Sequence, residues 1–185
     1  MFRPRLGHCL YDVLYGLERG VLLLTFVLDG QTFLGEDYLG IRPDRRPAFA
    51  RLVKAGRIQV GPWYGLADEF IPSGEALIRN LLIGRTDSEA LGGRMNVLYS
   101  PDAFGHPAAW PTLALEFGMR HGALWRGLGG ANGQGGDFYE WQGAGGTILL
   151  YHLPPDGYEI GTALPADPAR LPAAWNSIRA QLVGR

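Results

Sequence analysis

The longest apolar run in the chain is Val21-Leu22-Leu23-Leu24-Thr25-Phe26-Val27-Leu28, closed by Asp29-Gly30. An unbroken run of this kind predicts a strand covered on both faces. From Pro43 the spacing becomes helical: Phe49, Leu52 and Val53 fall on one side of a segment reaching Lys54, and Gly56 stops it. Arg57 to Gly61 reads as a short second strand. Ser73 then looks like an N-cap for a helix carrying Ala76, Leu77, Leu81 and Leu82, with Gly84 as its stop. Met95 to Tyr99 is the third predicted strand, Pro107 to Phe117 the next helix, stopped by Gly118, and His121 to Trp125 a fourth strand. A glycine-rich loop follows, Gly127 to Gly136. Phe138 to Gln142 and Thr147 to His152, joined by Gly143-Ala144-Gly145-Gly146, predict a hairpin. Asp167 to Leu182 carries a weak helical pattern. Alternating strands and helices predict an α/β fold on a largely parallel sheet with right-handed crossovers.

Composition narrows the class. With 185 residues the chain is the size of one ordinary domain and can bury a sizeable core. A formal charge of −1 gives no sign of a nucleic-acid-binding face or an acidic tail. The 28 glycines and 13 prolines suit many strand-to-helix turns better than a helical bundle. Cys9 is alone, so no internal disulfide framework can form. The run Val21 to Leu28 is far too short to span a bilayer. The basic start, Met1-Phe2-Arg3-Pro4-Arg5, leads into no apolar core of signal-peptide length, so a cytoplasmic location is expected.

The chemistry concentrates at Leu98-Tyr99-Ser100-Pro101-Asp102-Ala103-Phe104-Gly105-His106-Pro107. A carboxylate just past a strand end faces a ligand site by default in α/β folds. It can equally cap the helix that opens near Pro107, and both roles are open for Asp102. The other predicted strands end in polar and aromatic residues of the kind that hold sugars: Asp29 and Gln31 with Glu36-Asp37-Tyr38, Pro62-Trp63-Tyr64 with Asp68-Glu69, and Trp125-Arg126. Aromatic faces cover the C–H surfaces of a sugar ring, and carboxylates and arginine bind its hydroxyls. Trp63 and Trp125 could as well fill the core. Glu36, Asp37 and Glu69 are expected to be solvated, and His121 to be a satisfied structural histidine.

An ordered series of segments resembles the N-terminal catalytic domain of glycoside hydrolase family 38 α-mannosidases. These are Phe26-Val27-Leu28-Asp29-Gly30-Gln31, Gln59-Val60-Gly61-Pro62-Trp63-Tyr64 with Asp68-Glu69-Phe70, Ser73-Gly74-Glu75 with Ile78-Arg79-Asn80-Leu81, and Pro101-Asp102-Ala103-Phe104-Gly105-His106. The likeness runs from about Leu22 to Tyr158, with Trp125-Arg126 and the hairpin in place. It implies a parallel, barrel-like α/β domain of a retaining α-mannosidase with one bound divalent metal, usually zinc. Asp102 would then be nucleophile and metal ligand together. Retention proceeds through a covalent glycosyl-enzyme, with a second carboxyl group roughly 5–5.5 Å from the nucleophile. Arg126 matches a family arginine lining the sugar pocket, and Tyr158 aligns loosely with a substrate-contacting tyrosine. Trp63 belongs to a family motif and is a candidate sugar contact. For His106 the expected role is to position the Asp102 loop rather than to bind metal. The substrate would be an α-mannoside, with no nucleic-acid or membrane partner, and oligomerisation would belong to the full-length enzyme.

The series also departs from the family. The family's first His-x-Asp pair of metal ligands has no counterpart; the nearest arrangement, His8-Cys9-Leu10-Tyr11-Asp12, spaces the two residues four apart, on one helical face. The acid–base aspartate and the last histidine ligand of the family lie past the region covered. Asp102 would be the only one of four metal ligands present, whereas zinc needs three or four. The sequence therefore reads as a partial catalytic domain, and hydrolysis at a useful rate is not expected of this polypeptide alone. Two other readings compete. A metal-dependent polysaccharide deacetylase would need a His-x-x-x-His pair, which His8, His106, His121 and His152 do not form. A non-catalytic carbohydrate-binding remnant would use Trp63, Tyr64 and Arg126 without turnover.

Overall fold

The structure, a computed structural model, describes residues 2–20, 25–127, 137–153, 165, 167 and 169–182. In chain order it forms α1 (Phe2–Arg19), β1 (Phe26–Val27), α2 (Phe33–Ile41), a 3-10 turn (Pro43–Arg45), α3 (Arg46–Lys54), β2 (Ile58–Gln59), α4 (Gly74–Ala90) and β3 (Leu98–Ser100). Then follow α5 (Trp110–Glu116), β4 (His121–Leu124), β5 (Phe138–Gly143), β6 (Gly146–His152) and α6 (Leu171–Leu182). The result is a mixed α/β protein of two compact units, Met1–Ala67 with Pro72–Asn96, and Asp68–Ile71 with Val97–Arg185. None of the described helices is long and apolar enough to cross a membrane.

The first unit is built on one parallel pair, β1 beside β2, with Phe26 opposite Ile58 and Val27 opposite Gln59. Two strands cannot cover themselves, so helices do it. Leu10, Leu14 and Leu17 form one stripe of α1, and Phe49, Leu52 and Val53 one stripe of α3, as helical periodicity requires. They close over Leu28, Tyr38, Leu39, Ile58, Val60 and Leu91. Val27 stays open to solvent, so the expectation of a strand covered on both faces is corrected for the part described. Neither α1 nor α2 was predicted. Gly35, Tyr38 and Leu39 are the buried face of α2, within a stretch whose Glu36 and Asp37 were expected to be solvated. Residues 21–24 of the apolar run lie outside the described residues.

Ser73 caps α4 as expected, its hydroxyl accepting from the Ala76 amide at 3.2 Å. The helix does not stop at Gly84 but runs on to Ala90. A Cβ at Gly84 would run into the backbone of Pro62, Trp63 and Tyr64, so the glycine permits close approach instead of ending the helix.

The second unit has a four-stranded sheet in the order β3-β4-β6-β5. β3, β4 and β6 are parallel, and β5 closes the edge as the antiparallel arm of the predicted hairpin, with Gly143 opposite Gly146. Ile148 and Leu150 are buried while Leu149 is open, the period of two of a sheet with one packed face. His121 opens β4 and is exposed. The glycine-rich stretch 128–136 lies outside the described residues.

Candidate functional site

The register of β3 against β4 builds the site. Ser100 pairs with Leu124, so Asp102 and Arg126, each two positions further on, emerge side by side at the carboxyl ends of parallel neighbours. The Arg126 Nε–H donates to Asp102 Oδ1, and the two side chains keep 46% (Asp102) and 43% (Arg126) of their surface open. Asp102 does not cap the following helix. The residue ahead of α5 is Ala109, and it makes no side-chain cap bond. The capping role is therefore not the one Asp102 plays, and its side chain stands open beside Arg126.

Arg126 is fixed from three sides. Its amide donates to the Pro101 carbonyl at 3.0 Å. Its guanidinium carbon stands 4.4 Å from the centre of the Trp125 ring and 5.2 Å from that of Phe104. Its carbonyl oxygen lies 2.8 Å from Nε2 of His106. The preceding carbonyl, that of Trp125, lies 2.9 Å from Nε2 of His152. Two imidazoles thus hold consecutive carbonyls of this segment, and Gly127 leaves room for one of them. A Cβ there would sit 2.7 Å from the His106 ring, and its φ of +86° already favours glycine.

Behind this segment lies Glu69, expected to be solvated and found only 3% exposed. The correction has a physical reason, since three donors converge on its carboxylate. Ser100 Oγ and Trp110 Nε1 both donate to it, and His106 Nδ1 lies 2.8 Å from Oε2. Nε2 of His106 faces a carbonyl and must be a donor, so a carboxylate–imidazolium pair satisfies every contact. Burial opposes the charge on His106. The Glu69 hydrogen bond and charge outweigh it and hold the imidazolium above the ordinary histidine range. Burial pushes the Glu69 carboxyl up, against the hydrogen bonds from His106 and Ser100. With both ring nitrogens engaged, His106 is not arranged as a metal ligand, and Trp141 packs edge-on against its ring at 6.1 Å.

The other sequence candidates lie elsewhere. Trp63 belongs to the first unit and is 2% exposed, so its indole is part of that unit's interior. Its neighbour Tyr64 is the more open aromatic. The loop they share is held by Gln31 Oε1, which accepts from the Leu66 amide at 2.8 Å, and by Asn80. The Asn80 amide accepts from Tyr64 N at 2.8 Å and donates to Gly65 O at 2.7 Å. A hydrogen bond to Glu36, with burial, pushes the Tyr64 hydroxyl up. Tyr158 lies outside the described residues. His8 and Asp12 both fall within α1.

A zinc ion does not fit what is described. Among the described residues no three His, Cys, Asp or Glu side chains gather as a metal cluster, and the ion-pair partner of Asp102 is a guanidinium.

Comparison with known proteins agrees with the ordered motifs. The family model for the glycosyl hydrolases family 38 N-terminal domain matches residues 19–181. A putative mannosylglycerate hydrolase of Halalkalibacterium halodurans is 35% identical over 162 residues, covering 82% of this chain and 18% of that protein. An alpha-mannosidase from Enterococcus faecalis V583 has a similar structure, with a TM-score of 0.87 at 29% identity, over 97% of this chain and 20% of that one. A glycosyl hydrolase family 38 protein from Enterococcus faecalis gives a TM-score of 0.73 at 27% identity, over 96% and 19%. The chain therefore spans between 18% and 20% of the length of these relatives. It belongs to the glycosyl hydrolases family 38 N-terminal domain family.

Proposed function

We propose that this chain carries the nucleophile region of a retaining glycosidase acting on α-mannosides, within the barrel-like domain that the family resemblance implies. One observation carries the reading: Asp102 and Arg126, paired and open to solvent, stand at the carboxyl ends of adjacent parallel strands. The substrate class follows from the names of the relatives, an alpha-mannosidase and a mannosylglycerate hydrolase.

In this reading Asp102 attacks the anomeric carbon and the glycosidic oxygen leaves with its electron pair. Water then cleaves the glycosyl ester, restoring the starting configuration. Arg126 aims the carboxylate. A guanidinium has five donors in a fixed fork, enough to pair with Asp102 and hydrogen-bond sugar hydroxyls. No step is routed through zinc, because the described residues do not assemble its ligands.

The test is to place this segment in a full-length family catalytic domain and incubate it with an aryl α-mannoside, followed by proton NMR of the first-formed sugar, with Asp102→Asn alongside. The α-anomer first, and none from Asp102→Asn, is the expected result. The β-anomer first, or an unaltered rate in the variant, would overturn it. Mannoside binding without turnover, surviving chelation, would instead favour the carbohydrate-binding reading.

A further inference from the structure

The sheet register explains why Asp102 and Arg126 are neighbours, but not what holds Arg126 in the orientation that meets Asp102. Besides the Trp125 and Phe104 rings beside its guanidinium, a further restraint lies one layer deeper. The His106 side chain is 4% exposed and that of Glu69 1%, and they form an enclosed pair. Its outward contact is the hydrogen bond from Nε2 to the Arg126 carbonyl, 2.8 Å long. We propose that Glu69 is a positioning residue: by orienting His106 on the Arg126 carbonyl, it fixes the guanidinium against Asp102.

Three features support this role over simple core filling. A buried carboxylate costs folding energy that an apolar side chain of the same size would not, so packing alone does not call for it. Its three donors come from separate elements, β3, α5 and the loop that carries His106, so the pair ties together the segments that flank Asp102. Finally, the imidazole needs a carboxylate on Nδ1 if Nε2 is to present a proton to a carbonyl as imidazolium. A carboxylate in that second position orients a histidine wherever the ring's far nitrogen has work to do.

The role rests on Asp102 being the nucleophile, while its test does not depend on turnover. Nitrogen-labelled chain is followed by NMR at the Arg126 Nε–H, assigned by its loss in Arg126→Lys. Asp102→Asn supplies the signal of the unpaired guanidinium. Glu69→Gln is expected to move the Arg126 signal toward that reference and to speed its exchange with water roughly tenfold, the factor for losing one charge-assisted hydrogen bond. The amides of β3 and β4 should stay in place. The double variant Glu69→Leu with His106→Phe, which removes both hydrogen bonds and leaves no buried charge, should do the same and serves if Glu69→Gln does not fold. In the unaltered chain, both His106 ring nitrogens should carry protons at neutral pH, and a bare Nε2 would overturn the proposal without any variant. An Arg126 signal unmoved in a folded variant would overturn it equally, leaving Glu69 a packing residue. If the signal moves yet Asp102→Asn leaves mannoside cleavage unaltered, the positioning holds and the nucleophile reading fails.

Discussion

At the scale of single residues, the largest energetic stake lies in the buried pair rather than in the open one. Asp102 and Arg126 are both more than 40% exposed, so solvent screens their attraction and their removal should cost little stability. Glu69 and His106 are enclosed. Replacing His106 with alanine strands a buried carboxylate and should destabilise the chain by about 3–5 kcal/mol. Chemical denaturation would measure it, and a cost like that of an ordinary surface substitution would contradict the pairing. The pH dependence has a definite sign. The folded-state pKa of His106 is raised, so its contribution is complete below the unfolded value of about 6.5 and is lost as pH rises through the folded value. The stability difference between the chain and His106→Gln should therefore shrink as pH rises through that window. A difference that grows would refute the assignment. The sequence showed Asp102, Arg126 and His106 by motif, but Glu69, although within the family-like segment Asp68-Glu69-Phe70, was expected to be solvated. Its burial depends on donors from Ser100 and Trp110, 31 and 41 positions away, which no local pattern connects to it.

At the scale of elements, what was legible was local. The Ser73 cap, the Phe49-Leu52-Val53 stripe and the glycine-joined hairpin each follow from neighbours within a few positions, and each is present. Gly84 was misread because an ordinary stop signal and a close-packing glycine look alike in sequence. Only the backbone of Pro62 to Tyr64, crossing at that point, separates them. Two substitutions in α4 test the distinction. Ser73→Ala should cost about 1 kcal/mol through the lost cap. Gly84→Ala would be neutral or stabilising in an open helix, since alanine favours helix by about 1 kcal/mol over glycine. Here it should instead destabilise by about 1–3 kcal/mol, the usual cost of overpacking. Thermal melts of both variants decide it, and a stabilised Gly84→Ala would show that the crossing is not tight. The helices α1 and α2 escaped the sequence reading for a related reason. Their apolar stripes are interrupted by tyrosines, glycines and charges, and only tertiary contact shows which face is inside.

At the scale of the whole molecule, the chain is two compact α/β units, and the candidate nucleophile belongs to the second, together with Arg126, His106 and Glu69. The sheet of that unit brings together strand ends more than twenty positions apart in sequence, and that alone makes Asp102 and Arg126 a site. Metal behaviour tests this scale. Because the described residues gather no cluster of three candidate ligands, added zinc or a chelator should leave the melting temperature of the chain unchanged. A rise with zinc that the chelator reverses would place ligands beyond those residues.

The central claim is that Asp102 is the residue that becomes covalently attached to sugar. Its most direct test is trapping with a fluorinated mannosyl fluoride, whose glycosyl-enzyme hydrolyses slowly, followed by mass spectrometry of the digested protein. One fluoromannosyl group on the peptide that contains Asp102, absent from Asp102→Asn, is the predicted result. A label on another carboxylate, or none under conditions where the mannoside binds, would contradict it.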